Sequence, residues 1–112
     1  MDLSKDLVAA SATPLVLGIL AEGDSYGYAI IKRVTALSGG QLQWTDGMLY
    51  PVLHRLERHG LIASKWVSSE TGRQRKYYRL TKSGRAQLME ERRRWQVVDE
   101  ALRSVWLKPR LV

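Results

Sequence analysis

The residues in this chain that could do chemistry are cationic and aromatic rather than catalytic. Two histidines, His54 and His59, stand five apart, with no cysteine anywhere and no acidic pair placed beside them as ligands or as acid and base. Thiolate metal sites, disulfides and thiol nucleophiles are therefore excluded, and no metal, cofactor or enzymatic activity is expected. What the sequence offers instead is Tyr50, His54, Arg55 and Arg58 in one stretch, then Arg73, Arg75 and Lys76 beside Tyr77, Tyr78 and Arg79 in another. Guanidinium, ammonium and aromatic groups grouped in this way suit a polyanion.

The first stretch is positioned by a helix. Leu49, Val52, Leu53 and Leu56 recur at i, i+3, i+4 and i+7, which gathers them on one stripe of a 3.6-residue repeat and turns the basic residues away from it. Thr45 or Asp46 can cap its start, Pro51 removes one of its hydrogen bonds, and Gly60 supplies a left-handed stop. Two alternating segments, 61–67 and 75–80, then form a hairpin whose long tip, 68–74, carries Gly72 and Arg73 and is expected to be mobile. Helix, glycine stop and cationic hairpin are the order of a winged helix-turn-helix. Such a helix would present Thr45, Gly47, Tyr50 and His54 to the major groove, with Arg55 and Arg58 near phosphates or bases, and Arg73, Arg75 and Lys76 of the wing on phosphates or the minor groove.

Upstream, the spacing predicts a first helix over 4–21 and a second opened by Ser25, buried through Ala29, Ile30, Val34 and Leu37, and exposed at Lys32 and Arg33. Pro14 either kinks the first helix or starts a shorter one. The apolar run 14–21 is too short to span a bilayer, which takes about 20 residues. Asp2 and Asp6 flank Lys5 where a secretion signal wants positive charge, so cytoplasmic residence is expected. Charge is uneven: residues 1–53 hold three basic and five acidic side chains, residues 54–112 fifteen and six, within an overall +7.

Thr81 or Ser83 opens a last helix running to about Leu107, before Pro109. Leu88, Trp95, Val98, Leu102 and Val105 follow heptad steps, and about 26 residues at 1.5 Å each make a rod of about 39 Å. A seam of that length ending in Trp106 calls for a second chain. The mixed run 90–94 reads as a solvated face.

Four linked motifs carry a family resemblance: residues 26–30 (Tyr-Gly-Tyr-Ala-Ile), 47–57 (Gly-Met-Leu-Tyr-Pro-Val-Leu-His-Arg-Leu-Glu), 60–62 (Gly-Leu-Ile) and 75–81 (Arg-Lys-Tyr-Tyr-Arg-Leu-Thr). Together they closely resemble the PadR family of bacterial transcriptional regulators, over about residues 10–85. The resemblance extends to the compact subfamily that includes multidrug-responsive repressors. It implies a mainly α fold with a small β-hairpin: a winged helix-turn-helix over 1–81, whose first helix is shared with the dimer interface, a C-terminal dimerisation helix over 82–108 and a tail at 109–112. It also implies a homodimer on a pseudo-palindromic double-stranded operator, repressing transcription until an effector binds. Lys32, Thr45 to Arg55 and the wing carry over as DNA contacts, with Tyr50 the most typical base-proximal side chain. For a small hydrophobic or planar aromatic effector at the dimer centre, Trp95 and Asp99 carry over, faced by Leu7 and Ala10 of the first helix. Leu88, Trp95, Val98, Leu102, Val105 and Trp106 would hold the dimer. A winged-helix module that binds protein without reading DNA is the alternative; it calls for an apolar third helix and a neutral wing.

Overall fold

A computed structural model describes residues 2–107, so residues 108–112, including Pro109 and the expected tail, lie outside the described residues. The elements are α1 (Lys5–Glu22), β1 (Ser25–Tyr26), α2 (Gly27–Leu37), α3 (Asp46–Arg58), β2 (Ile62–Ser68), β3 (Gln74–Leu80) and α4 (Lys82–Trp106). Three helices pack on the core side of a three-stranded antiparallel sheet of order β1-β3-β2. The chain is thus mainly helical with a long last helix.

Caps set the helix starts. Ser4, Thr45 and Thr81 each accept a backbone N–H three residues on, from Leu7, Met48 and Gly84, which satisfies one of the donors a helix N-terminus leaves orphaned. Pro14 neither starts α1 nor ends it; the helix runs through. The acceptor that Pro14 leaves without a partner is the carbonyl of Ala10, a residue on the exposed side where water can take over. Ser25 is not the cap of α2. It forms a strand bridge with Tyr78, so the wing has three strands rather than the two of a hairpin, and Tyr26 takes the cap position without a side-chain bond.

The core is built from Ala12, Val16, Leu17, Ile19 and Leu20 of α1, Ile30 and Val34 of α2, the predicted stripe Leu49, Val52, Leu53 and Leu56 of α3, and Ile62, Tyr78 and Leu80 of the sheet. Because α1 is apolar on several sides, periodicity alone did not choose its inner face: Leu7 and Ala10 are exposed. Of the four tryptophans only Trp44 is buried, and of the five tyrosines only Tyr78. Burial pushes the Tyr78 hydroxyl up to about 12, and among the described residues neither that oxygen nor Trp44 Nε1 has a hydrogen-bond partner. The remaining aromatics lie at or near the surface, where they are available for other contacts.

The wing tip is shorter than expected by one residue on each side and closes on a hydrogen-bonded turn. Pairing continues to Ser68–Gln74, and Ser69 N–H donates to the Arg73 carbonyl at 2.8 Å while Gly72, at φ 82°, donates back to Ser69. At the other end, β2 and α4 share a tight junction. Gly60 takes φ 74°, its carbonyl accepts from Thr81 Oγ1 at 2.6 Å, and Thr81 N–H donates to the Leu61 carbonyl at 3.1 Å. Gly84 is the one buried residue of α4. Leu88, one turn on, still packs on the core, and α4 then runs on so that the molecule reaches 67 Å in length.

Candidate nucleic-acid interface

On α3 the positions opposite the buried stripe are 47, 51, 54 and 58, so Gly47, Pro51, His54 and Arg58 form its outermost line, and all four are exposed. Gly47 and Pro51 keep that line slim. Pro51 also leaves the Gly47 carbonyl without its helical donor, an acceptor on the side the helix would offer to a groove. Thr45 sits at the N-cap, and the Asp46 carboxylate in the first turn complements the helix dipole.

Tyr50 lies to one side of this line and Arg55 to the other. Tyr50 turns towards the wing, 6.2 Å from the His54 ring between centroids, and its hydroxyl occupies a slot against the start of α2. The slot exists because residue 27 is glycine: a Cβ there would stand 2.6 Å from Tyr50 Oη. Arg55 turns instead to α1, where its Nη2 donates to Thr13 Oγ1 at 3.0 Å and its stem lines a groove with Val8, Ala12, Met48 and Val52. Arg55 thus lies on the α1 side of α3, outside the wing-side cleft, and is still exposed. The helix-to-wing angle is held by Ser64 Oγ, which donates to the Glu57 carboxylate.

Between α3, the start of α2 and the wing lies a cleft of about 570 Å³. Its walls bring together Tyr50 with Arg73, Arg75 and Lys76, residues up to 26 apart in the chain, and add Tyr26, Tyr28 and Trp66. No carboxylate lines it. The uncapped first turn of α2 opens on it through Gly27, adding the partial positive charge of a helix N-terminus. Two of the cleft's three cations rest on aromatic rings, Arg75 4.4 Å over Tyr26 and Lys76 5.7 Å over Tyr78, and Lys32 nearby lies 5.4 Å over Tyr28. Tyr26 in turn meets Tyr77 edge-on at 5.2 Å. Arg33, next to Lys32, is tied instead to Glu22 by paired bonds of 3.0 and 2.7 Å. A surface so arranged can hold phosphates and set a phenol against a base edge.

A family model described as the transcriptional regulator PadR-like family matches residues 16–90. The chain belongs to the PadR-like family. It is a transcriptional regulator, then, and not an enzyme. The regulator Rv3488 of Mycobacterium tuberculosis is 48% identical over 61 residues, 54% of this chain and 53% of that protein, so the chain spans about half the length of that relative. Among solved structures, a transcriptional regulator from Clostridium thermocellum superposes with a TM-score of 0.80 at 29% identity, covering 89% of this chain and 97% of the other. A PadR family regulator from Eggerthella lenta gives 0.74 at 33%, covering 93% and 88%. The whole fold, long α4 included, superposes on such regulators, and membership of a transcriptional regulator family implies DNA binding. Among the described residues, no helix is long and apolar enough to cross a membrane.

The residues expected at an effector site lie on α1 and α4, two helices that pack against each other. Trp95 is half-buried, Leu7 and Ala10 are exposed, and Asp99 accepts from Arg103 Nε at 2.8 Å; none of them lines the two clefts above. Of the expected dimer seam, Leu88 is partly used up, packing on this chain's own core. Val98, Leu102, Val105 and Trp106 are all exposed. Sequence reasoning missed Gly27, Tyr26, Tyr28 and Trp66. The motif at 26–30 flagged the first three, whereas for Trp66 the only signal was a large aromatic close to the wing tip.

Proposed function

We propose that this regulator is a homodimeric repressor that seats α3 of each protomer in successive major grooves of a pseudo-palindromic operator, with residues 1–81 binding DNA and 82–108 pairing. The observation that carries the DNA-binding part is the cleft that joins Tyr50 to Arg73, Arg75 and Lys76 with no carboxylate among its lining residues. A protein-docking module would not concentrate positive charge there, so the alternative reading loses its footing. Division of labour follows from chemistry: the wing cations supply affinity on any sequence, while Tyr50 and the line through Gly47, Pro51 and His54 supply choice.

The test is titration of the protein's own upstream region against a random duplex over a series of salt concentrations. Operator affinity should fall with a log–log slope of about 0.9 per phosphate neutralised, and Arg75→Ala should flatten that slope by about one. Tyr50→Ala should instead erode the preference for operator over random DNA. A complex indifferent to salt, or a Tyr50→Ala variant that weakens both duplexes equally, would contradict this assignment.

Release is assigned to a small hydrophobic or planar aromatic effector bound where the two α4 helices meet, by Trp95 and Asp99 with Leu7 and Ala10. Support comes from a half-buried tryptophan on a face that the single chain leaves open. Adding a planar aromatic dye to the operator complex should free the duplex from the wild type and leave the Trp95→Ala complex intact. Equal release from both proteins removes Trp95 from the effector site.

A further inference from the structure

We propose that Trp66 is a DNA-contacting residue whose indole packs on the deoxyribose faces along the minor groove, giving the wing an apolar grip beside its ionic one. The inference rests on the DNA-binding reading above. Trp66 stands near the tip of β2 with 65% of its surface exposed, an unusual place for the largest apolar side chain of a small domain. Alternation along the strand puts it on the face of Ile62 and Ser64, across from Lys76, with Tyr78 and Leu80 following on the same side. That face turns to α3, and the indole lines the cleft that holds Tyr50.

The other aromatics of the cleft are already engaged. Tyr26 carries Arg75 and meets Tyr77, Tyr28 carries Lys32, and Tyr50 leans on His54. Among the described residues, Trp66 has no such ring or cation contact. It is an open apolar plate, and its cross-strand neighbour is a cation. A phosphate held by Lys76 brings the adjoining sugar within reach of the indole, and a sugar offers an apolar face whatever the base attached to it. The contact therefore adds affinity without choosing sequence and without neutralising charge.

The experiment measures binding of the full chain to a labelled duplex of its own upstream region and to a random duplex, each over a series of salt concentrations. Trp66→Ala should weaken both by about tenfold and leave the salt slope where it was. Trp66→Tyr should recover most of the loss. Because Trp66 is exposed, the thermal midpoint should stay within the scatter of the wild type, and DNA should quench a fluorescence component that Trp66→Phe lacks. Unchanged affinity in Trp66→Ala overturns the proposal. So does a loss accompanied by a drop of about one in the slope, which would make the indole a prop for Lys76. If the wild type binds neither duplex, the functional reading itself fails, and that outcome is distinct from both.

Discussion

Gly84→Ala is expected to destabilise the protein severely, by about 3 kcal/mol or more, because the added methyl has nowhere to go. An alanine Cβ at this position would lie 1.9 Å from the Leu61 carbonyl oxygen, 3.0 Å from its carbon and 3.0 Å from Leu80 Cδ2. The first two are backbone atoms, and that carbonyl is already fixed as acceptor for Thr81 N–H. Relief requires α4 to lift off β2, which breaks the Thr81–Gly60 bond as well. For a domain near 100 residues each kcal/mol shifts the midpoint by about 4–8 °C, so the midpoint of a thermal melt followed by circular dichroism should fall by roughly 12–24 °C. Gly18→Ala is the control: nothing stands within 4 Å of its Cβ, and in a helix interior the change should stabilise by up to about 1 kcal/mol. A Gly84→Ala protein melting within a few degrees of the wild type would mean that the close approach of α4 to β2 is wrong.

A charge placed in the seam of α4 should leave the fold alone and remove most operator binding. Leu102 and Val98 are 39% and 47% exposed in the single chain, so Leu102→Asp deletes no core contact within it. Between two such helices the carboxylate would be buried without a partner, a loss that breaks up an interface built on apolar contact. Sedimentation should report twice the 12.8 kDa chain mass for the wild type and once for the variant, with the same far-ultraviolet spectrum per residue. Linking two half-site modules raises affinity by about 10²–10⁴ over one, and that factor should vanish from operator titrations. A variant that stays paired, or a monomer that holds the operator as tightly as the wild type, would defeat the dimer proposal.

Much of the arrangement was legible because its causes are local. Threonines at 45 and 81 announced helix starts through the hydrogen bonds their own side chains make, Gly60 announced a stop through its left-handed backbone, and the stripe from Leu49 to Leu56 reappears whole in the core. The failures share a different cause. A two-residue strand such as Ser25–Tyr26 has no periodicity to read, and its existence depends on β3 lying beside it. Gly27 and Gly84 matter through what a methyl would strike, atoms of Tyr50 and Leu61 that folding brings up from 23 residues away in each case. The bond from Arg55 to Thr13 joins residues 42 apart, so a helical repeat could not announce it. Trp66 falls where the sheet has outrun its core, so alternation gives its face but not its surroundings.

The junction at Gly84 makes α4 a lever with its fulcrum on the wing. A rod of 25 residues is about 37 Å long, so a tilt of about 10° at the root swings the far end by roughly 6 Å. Run in reverse, a displacement of a few ångströms at the tip is a turn of several degrees at the root, where α4 meets α1 and the Leu61 carbonyl just before β2. Half-sites one helical turn apart, about 34 Å, tolerate little such drift. The smallest residue of the longest helix thereby helps fix, together with the packing of α4 on α1, the direction in which the rod leaves the wing.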